Sequence, residues 1–412
     1  MTTSDLVDPT SVDVADPQLH SEGDLLPVWR WMRRNDPVRW NVRPNGVAYW
    51  SVSTHAEAVR VLRDSKTFSS ERGMRLGGDL RAAEAASRKM LIVTDPPRHG
   101  AIRRIISSVF TARTVHRLEQ NMRQTVTASL DQALEDGTCD FVQVASRLPV
   151  SVICDLLGVP RKDWDFMLDR TTVAFGAVDE QGAPAVAAVE AHAEILLYYS
   201  ELVQQRRRDP REDVVTALVQ GEVDGKPLSD EEIFLNCDGL ISGGNETTRH
   251  AAVGGLLALA ADPDQWHSLR ARPELLPTAV DEILRWTSPG AHTLRTATRD
   301  TELAGRKILA GQSVVVWGLS ANRDESVFDE PDVFRIDRKP NRHLTFGHGA
   351  HYCLGGALAM NELRVLYEEL TRRVAGVQMA GPVRRVRSNH IAGFEEAVVA
   401  LEPAAASGEG LG

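Results

Sequence analysis

Apolar side chains recur every three or four residues over long stretches of this chain, which is the spacing of one face of an α-helix. The pattern is almost continuous over residues 115–203, where Leu148, Val152 and Leu156 illustrate it. Residues 47–53 are instead rich in β-branched and aromatic side chains, which is typical of a strand in a small sheet. The hydrophobic pattern therefore predicts a chain dominated by helices, with some β structure.

A second long periodic stretch begins at Ser229, where Ser229 and Glu232 form a capping-box pattern. The period continues to Asp262, so the predicted helix is roughly 50 Å long at 1.5 Å per residue. Gly243 and Gly244 stand in its middle and cost about 2 kcal/mol relative to alanine. The helix could stop at the glycines and restart with the following asparagine as a cap. Because the apolar stripe keeps its phase across them, we expect one helix with a functional site at its weak middle.

Composition and charge exclude several classes of protein. The chain has 412 residues, of which 42% are hydrophobic, so it is long enough for a large core. Its four cysteines show no pairing pattern, which favours a reducing compartment. A formal charge of −10 argues against nucleic acid as a partner. The first 26 residues lack a signal-peptide pattern, and no apolar run is long enough for a membrane span. We therefore expect a soluble, cytoplasmic protein.

Residues 343–356 concentrate the candidate chemistry, because Cys353 stands among four glycines and three histidines. Gly347 and Gly349 permit a turn with positive φ, and Gly355 lets a flat group approach closely. A helix-competent run follows, which favours a Cys353 thiolate, and a thiolate is one of the few protein ligands of haem iron. Two alternatives are a buried structural cysteine and a zinc site. The zinc site would use His343, His348, His351 and Cys353.

The pattern Phe346-x-x-Gly349-x-His351-x-Cys353-x-Gly355 resembles the haem-binding signature of the bacterial cytochromes P450. Further motifs of that family follow in the expected order from Asp95 to Phe394. The resemblance implies a mainly α fold, a helical prism with a minor β-sheet region, and haem b with Cys353 as its axial ligand. We expect one catalytic domain over residues 21–404, a flexible lead-in over 1–20 and a flexible tail over 405–412.

The resemblance also implies residues that hold the haem. His99 and Arg103 are spaced i, i+4 and share a helix face, which taken alone is also typical of a solvated basic face. By likeness to the family they bind the propionates. The implied cofactor-binding residues are His99, Arg103, Arg295, His351, Phe346, Gly347, Gly349 and Gly355.

The glycine pair of the long helix is followed by Glu246 and Thr247, which resemble the acid–alcohol pair of the family. Dioxygen activation consumes protons, so a hydroxyl that holds oxygen and a pocket-edge carboxylate that relays protons suit it. Glu282 and Arg285 resemble the structural Glu-x-x-Arg pair. Valine stands where the family usually adds a basic residue, and Arg335 or Arg338 are the candidates to replace it.

The implied substrate contacts come from residues 72–92 and 168–185, and from seven single positions. Those positions are Leu240, Gly243, Gly244, His292, Leu294, His390 and Ile391. Residues 69–88 read as a mobile segment, and residues 176–184 as a break between two helices that form a lid. Arg72 and Arg75 suit a carboxylate, a carrier-protein surface or simply solvent.

The implied activity is insertion of one oxygen atom of dioxygen into an organic substrate, as in the tailoring of a polyketide, peptide or terpenoid, free or bound to a carrier protein. Electrons would come from a ferredoxin and a ferredoxin reductase. We expect the basic residues Arg104, Arg342 and Arg364 to attract an acidic ferredoxin. Three alternatives remain: a haem sensor without turnover, a zinc-bound interaction protein, and a peroxide-driven or nitrating enzyme of the same fold.

Overall fold

Helices make up most of the computed structural model of the protein, which describes residues 8–176 and 186–405. The α-helices are α1 (Pro17–Glu22), α2 (Leu26–Asn35), α3 (His55–Arg63), α4 (Leu80–Ala86), α5 (Arg98–Ser107), α6 (Ala112–Asp136), α7 (Phe141–Leu157), α8 (Trp164–Gly176), α9 (Val186–Arg208), α10 (Val214–Gln220), α11 (Asp230–Ala261), α12 (Pro263–Ala271), α13 (Leu276–Thr287), α14 (Gly318–Ala321) and α15 (Gly356–Arg373). Within the described ranges, none of them is long and apolar enough to cross a membrane.

The strands form a minor part of the fold. They are β1 (Val38–Val42), β2 (Ala48–Val52), β3 (Phe68–Ser69), β4 (Thr138–Asp140), β5 (Glu222–Val223), β6 (Lys226–Pro227), β7 (His292–Ala297), β8 (Thr301–Leu303), β9 (Arg306–Ile308), β10 (Ser313–Trp317), β11 (Val374–Arg385) and β12 (Phe394–Pro403). The largest sheet has the order β1-β2-β10-β7-β3, with β2 and β10 parallel and the other pairs antiparallel. A second sheet has the order β11-β12-β4, and two hairpins complete the set.

Helix α11 is the central element, and it is continuous across both glycines as the hydrophobic phase predicts. Its start is fixed by the reciprocal capping box of Ser229 and Glu232, which satisfies two backbone N–H groups at the first turn. The helix packs against α7, α8, α9, α13 and α15. The largest hydrophobic core surrounds it, whereas two smaller cores lie against the five-stranded sheet. The middle of α11 is therefore held in a fixed position inside the helical part of the molecule.

The amino-terminal segment differs from the flexible lead-in expected over residues 1–20. From residue 8 onward it is packed: Val14 and Ala15 are fully buried, and α1 begins at Pro17. These apolar residues pack against Trp29 and Trp317. The polar composition of the segment does not predict this packing. Residues 1–7 lie outside the described residues, as do residues 406–412 of the expected tail.

The segment over residues 69–88, expected to be mobile, also has defined contacts. Ser70 donates both its N–H and its hydroxyl to Asp95, and Leu76 donates its N–H to His292. Asp79 then caps α4, which the glycine- and alanine-rich composition did not predict. The expected break between the lid helices, residues 176–184, falls almost wholly outside the described residues.

Candidate functional site

A cavity of about 330 Å³ lies between the middle of α11 and the loop that carries Cys353. Leu240, Gly243, Gly244 and Thr247 line its α11 side. The opposite side includes Phe346, Gly347, His348, His351, Tyr352, Cys353, Leu354 and Gly355. The structure therefore brings the glycine pair and the cysteine motif to one place, although more than 100 residues separate them in the chain.

The Cys353 loop has its shape because of two glycines with positive φ. Gly347 has φ of 70° and Gly349 has φ of 73°, a region that side chains with a Cβ rarely adopt. A Cβ on Gly349 would also lie 2.7 Å from the carbonyl oxygen of Leu62. The turn is closed by a 2.8 Å hydrogen bond from the Cys353 N–H to the Phe346 carbonyl. This fold directs the thiol to the cavity immediately before α15.

Burial raises the pKa of the Cys353 thiol, and the Gly355 N–H and the charge of Arg103 offset only part of that rise. Cys353 is exposed to the cavity, but protein atoms surround it in most directions. Among the contributions of the chain itself, desolvation therefore outweighs the hydrogen bond from the Gly355 N–H and the charge of Arg103. A bound metal cation deprotonates a coordinating thiol outright.

Four basic side chains meet at one edge of the cavity. His99 and Arg103 come from α5, Arg295 from β7 and His351 from the loop, and all four border the cavity. The rings of His99 and His351 lie 4.2 Å apart. Burial lowers the pKa of His351 to about 3 and that of Arg295 to about 10. This cluster is short of negative charge and suits an anionic ligand.

Asp95 is the carboxylate beside this cluster, and its oxygens are already committed. It accepts hydrogen bonds from the hydroxyls of Ser69 and Ser70, at 2.5 and 2.8 Å. Its nearest approach to His351 is 4.0 Å, and Ser70 lies between them, 3.3 Å from the His351 Nε2. Asp95 therefore orients the cluster without neutralising it. Sequence reasoning treated this residue only as part of a motif.

The two adjacent glycines at the middle of α11, Gly243 and Gly244, have different roles. A Cβ on Gly243 would meet no atom within 4 Å, so this position leaves open space in the cavity. A Cβ on Gly244 would instead lie 2.9 Å from the side chain of Ile153, so Gly244 allows α11 and α7 to pack closely. The expectation that both glycines leave room over the cavity is corrected to Gly243. Thr247 borders the same space and donates a 3.0 Å hydrogen bond to the Gly243 carbonyl.

Glu246 does not stand at the edge of the cavity, contrary to the expectation of a pocket-edge carboxylate. Only 4% of it is exposed, and it forms an ion pair with Arg249 on the next turn. The His250 Nε2 lies 3.4 Å from the same carboxylate. Arg249 also donates to the Thr172 hydroxyl on α8 at 3.2 Å. Neighbouring residues of a helix lie about 100° apart, and at this turn of α11 the Glu246 carboxylate is directed to Arg249 and His250 instead of the cavity.

The strand β7 presents a different face from the one expected. Thr293 and Arg295 border the cavity, whereas His292 and Leu294 point to the sheet side and pack near Trp317. Side chains alternate between the two faces of a strand. Because Arg295 faces the cavity, Thr293 faces it too, and His292 and Leu294 face the other way. His390 and Ile391 also lie outside the cavity lining, although Ile391 is bridged to the lining residue Gly290. None of these four residues lines the cavity, and their assignment as substrate contacts stays a prediction.

Glu362 is a cavity residue that sequence reasoning missed. It is 3% exposed, its Oε2 has no hydrogen-bond partner, and burial raises its pKa to about 8. The signal was present, because Glu362 stands between Leu358 and Leu366 at four-residue steps on an apolar helix face.

A buried ion network lies beside the Cys353 loop. Arg285 donates two hydrogen bonds of 2.7 Å to Glu282, and both residues are fully buried. Arg338, rather than Arg335, supplies the additional basic group, at 3.0 Å from Glu282. Arg335 contributes its backbone N–H to the same carboxylate. Asn322, with a 2.6 Å bond to the Leu344 N–H, continues the network toward the loop.

The alternative zinc site is not supported by the geometry of these ligands. Across residues 8–176 and 186–405, no group of three His, Cys, Asp or Glu side chains could hold a metal ion. His343 instead lies 3.6 Å from Asp281, and the ring of His351 lies against that of His99.

A larger groove, of about 680 Å³, lies between α6, α7 and α8. It is lined by polar residues such as Gln124, Gln132 and Gln143 and by the Arg161–Trp164 pair. The Cys353 loop, the basic cluster and the glycine pair of α11 do not line this groove, so the smaller cavity is the candidate site.

Comparisons with known proteins agree with this geometry. The family model described as Cytochrome P450 matches residues 267–373. Cytochrome P450 NovI of Streptomyces niveus is 40% identical over 399 residues, which is 96% of this chain and 98% of that protein. Steroid C26-monooxygenase of Mycolicibacterium smegmatis is 35% identical and covers 96% of this chain and 97% of its own. The crystal structure of P450 OxyD, involved in the biosynthesis of vancomycin-type antibiotics, has a TM-score of 0.87 at 36% identity, covering 96% of this chain and 100% of that one.

Proposed function

Because this chain belongs to the cytochrome P450 family and is a monooxygenase of that family, we propose that Cys353 is the thiolate ligand of a haem b. Family membership implies a haem with cysteine thiolate ligation. The observation that carries the assignment is the position of Cys353, which faces the cavity opposite the open space at Gly243.

The residues present fit a haem. The cavity has apolar walls from α7, α11 and α15. Gly355 faces open space, since a Cβ at this position would meet no atom within 4 Å. The basic cluster at its edge suits two carboxylates, because four basic groups share one nearby acid. We assign His99, Arg103, Arg295 and His351 to the propionates. Phe346, Gly347 and Gly349 would shape the loop below the ring.

A bound haem supplies dioxygen activation, in which one oxygen atom enters the substrate and the other leaves as water. The chain itself provides the space for a small molecule beside α11, because Gly243 has no side chain to fill it. The Thr247 hydroxyl uses its proton on the Gly243 carbonyl, so its oxygen is free to accept a hydrogen bond from a ligand. Glu246 is ion-paired with Arg249, so it would accept a proton and relay it to the cavity only on leaving Arg249.

The substrate class is proposed from the cavity and from relatives. Met74, Leu91, Val152, Ile153 and Leu240 give the cavity an apolar lining, which suits a largely apolar organic molecule. P450 OxyD is involved in the biosynthesis of vancomycin-type antibiotics. We propose that this protein hydroxylates or epoxidises a secondary metabolite of polyketide, peptide or terpenoid type, free or tethered to a carrier protein.

Electrons would come from a ferredoxin and its reductase. Arg104 on α5 and Arg342, immediately before the Cys353 loop, are exposed and have no carboxylate partner in the described part of the chain. Arg364 is bonded to Glu119 and Glu368, so its charge is already compensated. Arg104 and Arg342 are therefore the better candidates for an acidic ferredoxin surface.

The experiment that tests this function supplies the holoenzyme with a ferredoxin, its reductase and isotopically labelled dioxygen. We expect one labelled oxygen atom in the product and consumption of NADPH matched to product. The Thr247→Ala variant should consume NADPH with much less product, whereas Thr247→Ser, which keeps the hydroxyl, should stay close to wild type. Unlabelled product would contradict the proposal. Product that forms with peroxide but not with dioxygen and the electron-transfer proteins would also contradict it.

A further inference from the structure

Buried arginines in this protein are almost always held by a carboxylate. The pairs among the described residues are Arg33–Glu325, Arg206–Asp213, Arg249–Glu246, Arg285–Glu282, Arg323–Asp332 and Arg338–Glu282. Arg295 has no such pair, and the proposed haem carboxylates explain why. A cation removed from water without a counter-charge is strongly unfavourable, so an unpaired one indicates a missing anion.

Arg75 is a half-buried cation that also lacks a carboxylate partner among the described residues. Protein surrounds most of its side chain, although part remains exposed, and burial lowers its pKa with no opposing contribution from a carboxylate. No ion pair or hydrogen bond holds its guanidinium within residues 8–176 and 186–405. Its neighbour Arg72 is exposed to solvent and has no need of a counter-charge. The haem carboxylates are assigned to the other cluster, so they leave Arg75 unexplained.

The backbone on both sides of Arg75 is fixed by hydrogen bonds, and on one side it borders the cavity. Met74 borders the cavity, and its carbonyl accepts a 2.8 Å hydrogen bond from the Leu294 N–H. Leu76 is buried and donates its N–H to the Nε2 of His292, also at 2.8 Å. Arg75 is therefore held where this segment, β7 and the turn at His390 meet.

The titratable groups around Arg75 are imidazoles and not acids. The Nε2 of His292 accepts from Leu76, so its Nδ1 carries the proton and donates to the Asn389 carbonyl at 2.8 Å. The ring of His390 lies 5.0 Å from that of His292, and its buried Nδ1 has no partner. Burial lowers the pKa of His292 to about 4, and the charge of Arg75 adds to the effect on both rings. Near neutral pH this cluster carries the charge of Arg75 alone.

Resting on the proposed function, we propose that Arg75 binds an oxyanion of the substrate, a carboxylate or a phosphate, at the edge of the cavity. The planar guanidinium matches both groups with paired N–H donors. The unpartnered Nδ1 of His390 supplies one further donor when it carries the ring proton. The substrate is then an organic acid with an apolar body, placed by its charged end at this edge and by its apolar part beside α11.

The test uses holoenzyme whose reduced carbon-monoxide spectrum has been recorded first. A panel of alkyl and aryl carboxylic acids is titrated beside their uncharged methyl esters, and alkyl phosphates of matching length form a third arm. Calorimetry reports binding and the haem absorbance reports placement in the cavity. The variants are Arg75→Gln, Arg75→Lys and the matched control Arg72→Gln, each checked by thermal unfolding.

We expect at least one acid or phosphate of the panel to bind about tenfold more tightly than its uncharged counterpart, the gain typical of a charge-assisted hydrogen bond. Arg75→Gln should abolish that preference without weakening the ester, whereas Arg72→Gln and Arg75→Lys should retain all or part of it. The arm with the larger preference identifies the oxyanion. If no anion in the panel is preferred, or if Arg75→Gln keeps the preference, the inference is overturned. A missing thiolate band would instead refute the proposed function, while calorimetry would still test Arg75.

Discussion

At the scale of single residues, two buried acids near the cavity are stabilised in different ways. Glu246 is ionically paired with Arg249, and one of its oxygens, Oε1, has no hydrogen-bond partner. Glu362 has no cation beside it, and burial raises its pKa to about 8. One acid is therefore paired with a neighbouring cation, whereas burial favours the neutral form of the other.

The ion pair of Glu246 makes a prediction for stability. Arg249→Gln leaves the Glu246 carboxylate buried without its cation, so we expect the free energy of unfolding to fall by about 3–5 kcal/mol. The double variant Glu246→Gln, Arg249→Gln removes both charges and should recover much of that loss. Urea unfolding of the single and double variants measures both values. Equal losses in the two would show that the pair does not contribute through its charges.

Glu362 makes a prediction for pH dependence. Its folded pKa of about 8 lies above the ordinary value of 4.5, so the folded protein keeps a proton that the unfolded chain has lost. The free energy of unfolding is therefore highest below about pH 4.5, as far as this group is concerned, and falls as pH rises through about 8. Glu362→Gln cannot ionise and should become more stable relative to wild type as pH increases over this range.

The control for this experiment is Glu84→Gln, which changes an exposed acid on α4. It should follow the wild-type curve at every pH. Parallel curves for Glu362→Gln and wild type, recorded by urea unfolding between about pH 6 and pH 8, would contradict the buried, protonated state of Glu362.

At the scale of elements, α11 combines a packing glycine with an open one. Gly244 lets the helix approach Ile153 of α7, whereas Gly243 leaves space toward the cavity. Both lie inside a helix that stays continuous, since α11 is packed on several sides by other helices. Tertiary packing thus offsets the low helix propensity of the glycine pair.

Two alanine substitutions separate these roles. Gly243→Ala should raise the free energy of unfolding by about 1 kcal/mol, because alanine favours the helix and its Cβ meets nothing. Gly244→Ala should instead lower it by about 1–3 kcal/mol, because its Cβ would lie 2.9 Å from Ile153. Chemical unfolding measures both changes. The same sign for the two variants would contradict the assignment.

The elements that sequence predicts well are those with local signals. The capping box, the continuous apolar phase of α11 and the positive-φ glycines of the Cys353 loop are such signals, and the structure contains all of them. The face of β7 was wrong by one residue, although Arg295 sets the alternation. The packing of Val14 and Ala15 was missed because their partners, Trp29 and Trp317, are distant in the chain.

The candidate site divides in the same way. The resemblance to the family predicts the cysteine loop, the basic cluster and Thr247, and the structure places all of them at one cavity. Two ion pairs depend on side-chain geometry, which spacing along the chain does not determine. They are Arg249 with Glu246 and Arg338 with Glu282. The free charge of Arg75 is likewise visible only when every neighbour is known.

At the scale of the whole molecule, exposed charge near the Cys353 loop provides a test of ferredoxin docking. Arg104→Glu and Arg342→Glu should each raise the apparent KM for ferredoxin severalfold at low salt, with kcat at saturation little changed. Arg364→Glu is the matched control, and its effect should be smaller because Glu119 and Glu368 already compensate Arg364. Unchanged KM values for the first two variants at low ionic strength would refute this surface.

The proposed haem site places the Cys353 thiol on one side of the cavity and the open space at Gly243 on the other. Three other cysteines offer internal controls: Cys154 and Cys237 are fully buried in the core, and Cys139 is partly buried. Burial raises the pKa of each of these thiols, to about 11 for Cys139. None of the three borders the cavity, so they should not ligate the haem.

The most direct measurement is the absorbance spectrum of the reduced carbon-monoxide adduct. Wild type and Cys139→Ala should show the red-shifted band of thiolate ligation, and Cys353→His should bind haem but lose that band. A wild-type adduct without the red-shifted band, or a Cys353→His adduct that retains it, would contradict the assignment of Cys353.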